Sequence, residues 1–396
     1  MVVPKLRFPE FSKEGSWKEE SISNLLDYER PDAYIVSDTN YQKVGTPVLT
    51  ANKSFILGYT NEEHGIYKNA PAIIFDDFTV DKKFVDFPFK VKSSAIKILK
   101  EKGDNNIRFI FELLCQIRFE AKEHKRYYIS AYQNLLVNIP KPKEQQKIAS
   151  CLSSLDDLIT AHTQKLDTMK AHKKGLMQQL FPAEGEKVPK LRFEEFKDSG
   201  EWEEDLMDNV AEFLKGKGIS KADISLTGSI PCIRYGELYT HYQEVIDTVI
   251  SFTDLSPDEL ILSEANDVII PSSGETREDI ATASCVLKRG IALGGDLNII
   301  RTQINGIFLS YYLTHAKKKA IAKLAQGDAV VHLYSSQLKK LPINFPKSKG
   351  EQEKIADCLS SLDRLIKVQA KKIEQMKLHK KGLMQGLFPN FNEEKE

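Results

Sequence analysis

Apolar positions along the chain gather into two long stretches with heptad spacing, set apart by segments of mixed pattern. The first stretch runs Ile148, Leu152, Leu155, Ile159, Leu166, Met169, Leu176 and Leu180. The second runs Ile355, Leu359, Leu362, Ile366, Ile373, Met376, Leu383 and Leu387. Alternating steps of four and three put these residues on one stripe of a helix, the seam of a coiled coil. Polar residues fill the same two places in each seam, His162 and Lys173 in the first and Gln369 and Lys380 in the second. A shared interruption belongs to the design. It reads either as a choice of register or partner or as a lysine snorkelling at the seam edge. Pro142 precedes the first stretch, where its missing N–H costs little. Gly175 and Gly382 weaken the helices near their ends, and Pro182 and Pro389 stop them. Helices of this length extend roughly 50–60 Å. Two of them in one chain can bury their stripes on each other as an antiparallel coiled coil. That would place the flanking domains at opposite ends, related by an approximate two-fold axis.

The stripes lie inside a duplication. Glu144–Pro182 recurs as Glu351–Pro389 with 26 of 39 aligned positions identical. The opening PKLRFPEF, Pro4–Phe11, recurs as PKLRFEEF, Pro189–Phe196, and each copy is followed at the same distance by a tryptophan, Trp17 or Trp202. Between these marks the halves diverge, and the second insert is 22 residues longer than the first. Faint echoes remain: Gly45-Thr46-Pro47 answers Gly228-Ser229-Ile230-Pro231, and Leu135…Asn138-Ile139-Pro140 answers Leu341…Asn344-Phe345-Pro346. A constant frame carrying two divergent inserts of one fold divides the chain at 1–143, 144–182, 183–350 and 351–396.

Within the inserts the pattern predicts mixed α/β structure, two similar α+β domains. In the first, β-like runs fall at Thr46–Leu49, Ala72–Phe75, Phe84–Val91 and Ala95–Leu99, with a helix over Ile107–Arg118. In the second they fall at Ile230–Arg234, Glu244–Phe252, Asp267–Ile270, Ala281–Leu287 and Leu297–Arg301, with a helix over Gly306–Ala325.

Charge narrows the class only a little. Lys plus Arg and Asp plus Glu are both 56, so a wholly basic surface is excluded, while a local nucleic-acid contact is not. No run of eighteen apolar residues suggests a membrane span, and the first residues lack a signal-peptide core. Five scattered cysteines, none in a C-x-x-C pair, fit a reduced cytoplasm. Catalytic arrangements are missing. Gly216-Lys217-Gly218 is too short for a phosphate cradle, and no N-P-P-Y or D-P-P-Y run could hold a flipped adenine. Asp76-Asp77…Asp81 reads as a turn on ordinary surface rather than a metal site. The paired His172 and His379 read as core-edge or partner-facing residues, and Lys317-Lys318-Lys319 as an exposed helix face.

Candidate DNA contacts are arginines, amides and hydroxyls near glycine-rich turns, since arginine matches guanine edges and amides match adenine. In the first insert these are Asn52, Lys53 and Tyr59, with Lys125 and Arg126 in a basic run that ends in Tyr127-Tyr128 and could position phosphates. In the second they are Arg234, Tyr235, Tyr239, His241, Ser272, Ser273, Thr276 and Arg277.

This frame resembles the specificity subunit of type I restriction–modification systems. The likeness rests on the PKLRF-x-x-F openings, Gly228–Arg234, Ala325-Gln326-Gly327, Leu341-Pro342-Ile343…Pro346, and E-Q-x-K-I-A…L-x-x-L-D with the K-K-G-L-M-Q-x-L-F-P ending, in order and twice. It implies two target recognition domains, each reading half of a split site in double-stranded DNA, with the two helices setting the spacer. It also implies two methyltransferase subunits, which would use S-adenosylmethionine at adenine N6, and two restriction subunits, which would use ATP and Mg2+. None of these cofactors would bind this chain, which would be non-catalytic and would work in a bacterial or archaeal cytoplasm. The first insert departs from the Ala-Gln-Gly pattern and carries Arg126-Tyr127-Tyr128 near that place.

Overall fold

The computed structural model describes residues 2–52, 54–225, 227–327 and 330–389. The chain forms two compact units, Met1–His162 with Lys372–Glu396, and Thr163–Lys371. The divisions fall inside the long helices rather than at their ends.

In the first unit a four-stranded antiparallel sheet has the order Leu26–Glu29, Ile96–Glu101, Ala72–Asp76, Lys82–Val85. A three-stranded sheet sets Thr46–Leu49 between Ile56–Thr60 and Lys90–Val91. Lys18–Ser21 pairs with Leu136–Ile139 to close the insert on itself. Alternating apolar residues of the larger sheet, Ile73, Phe75 and Leu99, pack with the buried stripe of helix Ile107–Gln116. Asn106 starts that helix, its side chain accepting the Phe109 N–H.

The second unit repeats this plan with other residues. Ala211–Lys215, Leu297–Thr302, Asp267–Pro271 and Ser284–Val286 take the same order, and Val245–Ile246 adds a fifth strand. Ile230–Ile233 lies between Ser251–Thr253 and Ala292–Leu293. Glu203–Leu206 pairs with Pro342–Phe345. Asn305 caps helix Gly306–His315 as Asn106 caps its counterpart.

Several sequence-based expectations need correction. The run Phe84–Val91 is two strands, Lys82–Val85 and Lys90–Val91, in two sheets; Pro88 lies in the break and has no N–H for a ladder. Glu244–Phe252 likewise divides into Val245–Ile246 and Ser251–Thr253. The helix expected over Gly306–Ala325 stops at His315 and resumes over Lys318–Leu324. Lys317 at that joint is half-buried over the Tyr312 ring instead of fully exposed. Asp76 and Asp77 form a turn, but a buried one: Asp76 accepts the N–H groups of Phe78 and Thr79, and Asp77 that of Tyr128.

The long helices span Pro142–Leu180 and Lys349–Leu387, 39 residues each, or about 58 Å. In each unit the beginning of one helix lies against the end of the other, so they run antiparallel as a coiled coil. Ile148, Leu152, Ile355, Leu359 and Ile373 are fully buried, while Leu155, Ile159, Leu166, Met169, Leu362, Ile366 and Met376 are half-buried. The seam lysines turn inward. Lys380 Nζ lies 2.8 Å from Asp156, and Lys173 Nζ lies 2.8 Å from Asp363, each across the helix pair. Each also approaches a carboxylate of its own unit's insert, Glu112 or Glu244, at 3.4 Å. Snorkelling is therefore the wrong account of these two residues.

The same repeats fasten each insert to the helix ends. Arg7 grips Glu144 with two parallel hydrogen bonds of 2.8 and 2.7 Å, and Arg192 grips Glu351 with two of 2.8 Å. Leu6 N–H bonds the Gly386 carbonyl, and Leu191 N–H bonds that of Gln179. The next residues of the helices, Gln145 and Gln352, accept the backbone N–H groups of Asn106 and Asn305. Trp17, Phe109 and Phe388 pack as an aromatic trio in the first unit; Trp202, Phe308 and Phe181 do so in the second.

Candidate nucleic-acid interface

The variable loops project from this frame on strand ends. In the second unit three segments distant in sequence converge. Strand Ile230–Ile233 ends at Arg234 and passes into a short helix, Tyr235–Thr240, instead of an open turn. Its N-terminus is fixed by Glu237, whose carboxylate accepts the Arg234 N–H at 3.1 Å and the Ser251 hydroxyl at 2.5 Å. Arg234 Nε is buried, has no hydrogen-bond partner among the described residues, and lies 3.9 Å from Glu237. Tyr235 and Tyr239 are half-buried with ring centroids 6.4 Å apart, and His241 is exposed just past the helix.

That helix packs against Ser273–Gly274, the second segment. Ser272 is half-buried, its backbone held by Asp296 and Leu333, and Ser273 is buried. Thr276 caps helix Arg277–Ile280 by accepting the Asp279 N–H at 3.1 Å. Arg277 is exposed and forms no ion pair among the described residues. The third segment is Val331–His332, antiparallel to Ser273–Gly274. His332 Nδ1 lies 3.2 Å from Ser273 Oγ, and its ring stacks beside exposed Tyr334. Sequence reasoning missed both His332 and Tyr334. The signal present was their place just after Ala325-Gln326-Gly327.

The first unit gathers its candidates less completely. Asn52 is exposed in the loop that joins Thr46–Leu49 to Ile56–Thr60, its side chain accepting the Thr50 hydroxyl. Lys53 lies outside the described residues. Tyr59 is a strand residue paired with Pro47 and bonded through its backbone to Gln42, away from the loop that carries Asn52. Lys125 is exposed and paired with Glu123 at 2.8 Å. Arg126 bonds the Ser94 carbonyl at 3.2 Å and lies 3.6 Å from Asp77 and 5.5 Å over the Phe78 ring, with about half its side chain exposed. The neighbouring Tyr127 and Tyr128 are buried, so the aromatic part of the basic run belongs to the core.

Ionisable groups cluster away from these loops, where inserts meet helices. Burial by itself would raise the Glu244 carboxyl. The His315 hydrogen bond and the Lys173 charge outweigh it and hold the group down to about 2. Tyr311 donates to Asp363 in the same cluster, and burial pushes its phenol far above the usual range. In the first unit Arg108 bridges Glu112 and Asp156 beside Lys380. Among the described residues no group of three or more His, Cys, Asp or Glu could hold a metal ion. Among the same residues no helix is long and apolar enough to cross a membrane.

A family model described as type I restriction modification DNA specificity domain matches residues 14–171 and again 199–378. The EcoR124I/EcoR124II specificity subunit of Escherichia coli is 30% identical over 363 residues, 87% of this chain and 86% of that protein. The MjaVIII specificity subunit of Methanocaldococcus jannaschii is 22% identical over 96% of this chain and 90% of its own length. Among solved structures, the S subunit of a type I restriction–modification system from M. genitalium superposes with a TM-score of 0.65, over 99% of this chain and all of that one. Its sequence identity is 14%, so that likeness concerns the fold.

Proposed function

The chain belongs to the type I restriction–modification DNA specificity family, and from that premise we propose that its two inserts each read one half of a split DNA target. It recognises DNA for a complex that also contains modification and restriction subunits, and directs the methylation or cleavage those partners catalyse. In our reading the complex holds two methyltransferase and two restriction subunits, one modification subunit for each half-site, and acts on cytoplasmic DNA. The antiparallel helices set the number of base pairs between half-sites, their length of about 58 Å being more than one turn of B-DNA.

The observation that carries this reading is the repeated sheet topology on a duplicated helical frame, with divergent residues on the loops. A frame kept constant while loop chemistry changes suits two sequences read at fixed separation. Arg234, Tyr239, His241, Thr276 and Arg277 in one domain, and Asn52, Lys125 and Arg126 in the other, are the contacts we assign, exposed or half-exposed on such loops and the short helices within them. Ser272 and Ser273 support them through the backbone and through His332. The test is methylation mapping in a host carrying this chain with its cognate methyltransferase, against the same host without the chain. A new adenine-methylated motif in two parts, dependent on this chain, is the expected result. A single continuous motif, or none from an assembled complex, would overturn the reading.

A further inference from the structure

The two inserts differ too much in sequence to be aligned residue by residue, but their hydrogen bonds align them. In the first, the strand Ala72–Asp76 pairs Ile73 with Leu99 and Asp76 with Ile96. In the second, Asp267–Pro271 pairs Val268 with Ile300 and Pro271 with Leu297. The residue after each strand, Asp77 or Ser272, then accepts a backbone N–H from a distant segment: Tyr127 at 2.8 Å and Leu333 at 3.0 Å. Farther on, buried Tyr132 and Leu338 stand four residues before the closing strands Leu136–Ile139 and Pro342–Phe345. Both anchors give one register. Tyr127 corresponds to Leu333, and Arg126 corresponds to His332.

The supports beneath these residues correspond as well. Phe78 and Ser273 are each the second residue past the strand end. Phe78 lies under the Arg126 guanidinium at 5.5 Å, and Ser273 Oγ holds His332 Nδ1 at 3.2 Å. One place in the fold therefore carries a half-exposed, anchored polar side chain in both inserts, with a different chemistry in each. Among the described residues His332 Nε2 has no hydrogen-bond partner. In its neutral form an imidazole has one donor and one acceptor nitrogen, and the Ser273 hydroxyl can serve Nδ1 in either role, so Nε2 is left with a single donor or acceptor set by the tautomer. An imidazole in that form adds little to phosphate attraction, which needs full positive charge. Its value to DNA binding is a single directed hydrogen bond, as base edges require.

We propose that His332 is a base-reading residue of the second domain, the counterpart of Arg126 in the first. This rests on the two-domain reading above. The test uses the full chain assembled with its methyltransferase subunits, in which methylation is mapped for wild type, His332→Ala, His332→Asn and Arg126→Ala, with melting temperatures recorded in parallel. The His332 variants should relax one base position in one half-site by about tenfold or more in the ratio of correct to altered sites. The other half-site should keep its preference. Arg126→Ala should relax a position in that other half-site instead.

An unchanged motif in both His332 variants overturns the proposal while leaving the two-domain reading intact. Uniform loss of methylation without a change of preference, or failure of both variants to assemble, makes His332 a structural residue and also overturns it. A wild-type complex that methylates no split motif removes both readings together.

Discussion

Arg192 reaches Glu351 through two parallel hydrogen bonds, and Trp202 Nε1 adds a contact at 3.3 Å to the same buried carboxylate. Side-chain exposures of 7% and 1% put this pair where solvent screens little. Glu351→Ala strands a guanidinium and should cost about 3–5 kcal/mol in denaturant unfolding. Removing Glu374, whose pairing with Lys377 is exposed, should cost well under 1 kcal/mol in the same assay. Equal losses from the two changes would show that the clasp adds nothing beyond a surface pair. Glu244 supplies a pH signature at the same scale. Its folded value of about 2 lies below the ordinary 4.5, so its stabilisation is complete above the ordinary value and disappears as pH falls toward 2. The wild type should lose on the order of 3 kcal/mol more than Glu244→Gln across that interval. Parallel stability curves for the two proteins would refute this.

Each long helix owes its position to polar residues as much as to its apolar stripe. The stripe alone would allow a slip of one heptad, since each seam repeats leucine and isoleucine at the same spacing. Lys173 opposite Asp363, and Lys380 opposite Asp156, pair across the helices only in the observed register. Lys173→Met leaves Asp363 and Glu244 without their shared cation and should cost roughly 3 kcal/mol. Adding Asp363→Asn should recover part of that loss, because it removes an uncompensated charge and keeps an acceptor for the Tyr311 hydroxyl. Thermal melts of the single and double variants check the sign, and a double variant less stable than the Lys173→Met protein would contradict the account. The helices were legible from their period. The role of their interruptions was not, because Lys173 and Asp363 are 190 residues apart.

At the scale of the whole chain, the first unit is made of two separate pieces of sequence, while the second is the single stretch Thr163–Lys371. The first insert borrows the last turns of the second long helix, including Leu387, and Phe388 just past it, to complete its core. A chain ending at Lys371 should therefore lose amide-exchange protection in helix Ile107–Gln116, far from the cut in sequence. Thr163–Lys371 has its own core, and helix Gly306–His315 should stay protected. Equal protection of Ile107–Gln116 in the full and shortened chains would show that the borrowed residues are dispensable.

The sequence by itself determined the two helices, the duplication and the family. Helical periodicity is written within four residues of each position, and a repeat with 26 of 39 positions identical needs no geometry to be seen. It also marked segments that the structure brings together, Arg234–Tyr239 with Ser272–Arg277, though as open turns. Tertiary structure alone decided that Tyr127 and Tyr128 are core, that Arg7 and Glu144 clasp, and that His332 stands where Arg126 does. Those outcomes follow from strand pairing and loop contacts between residues far apart in the chain. Their partners are selected by the sheet's hydrogen-bond register, which no local pattern of side chains records.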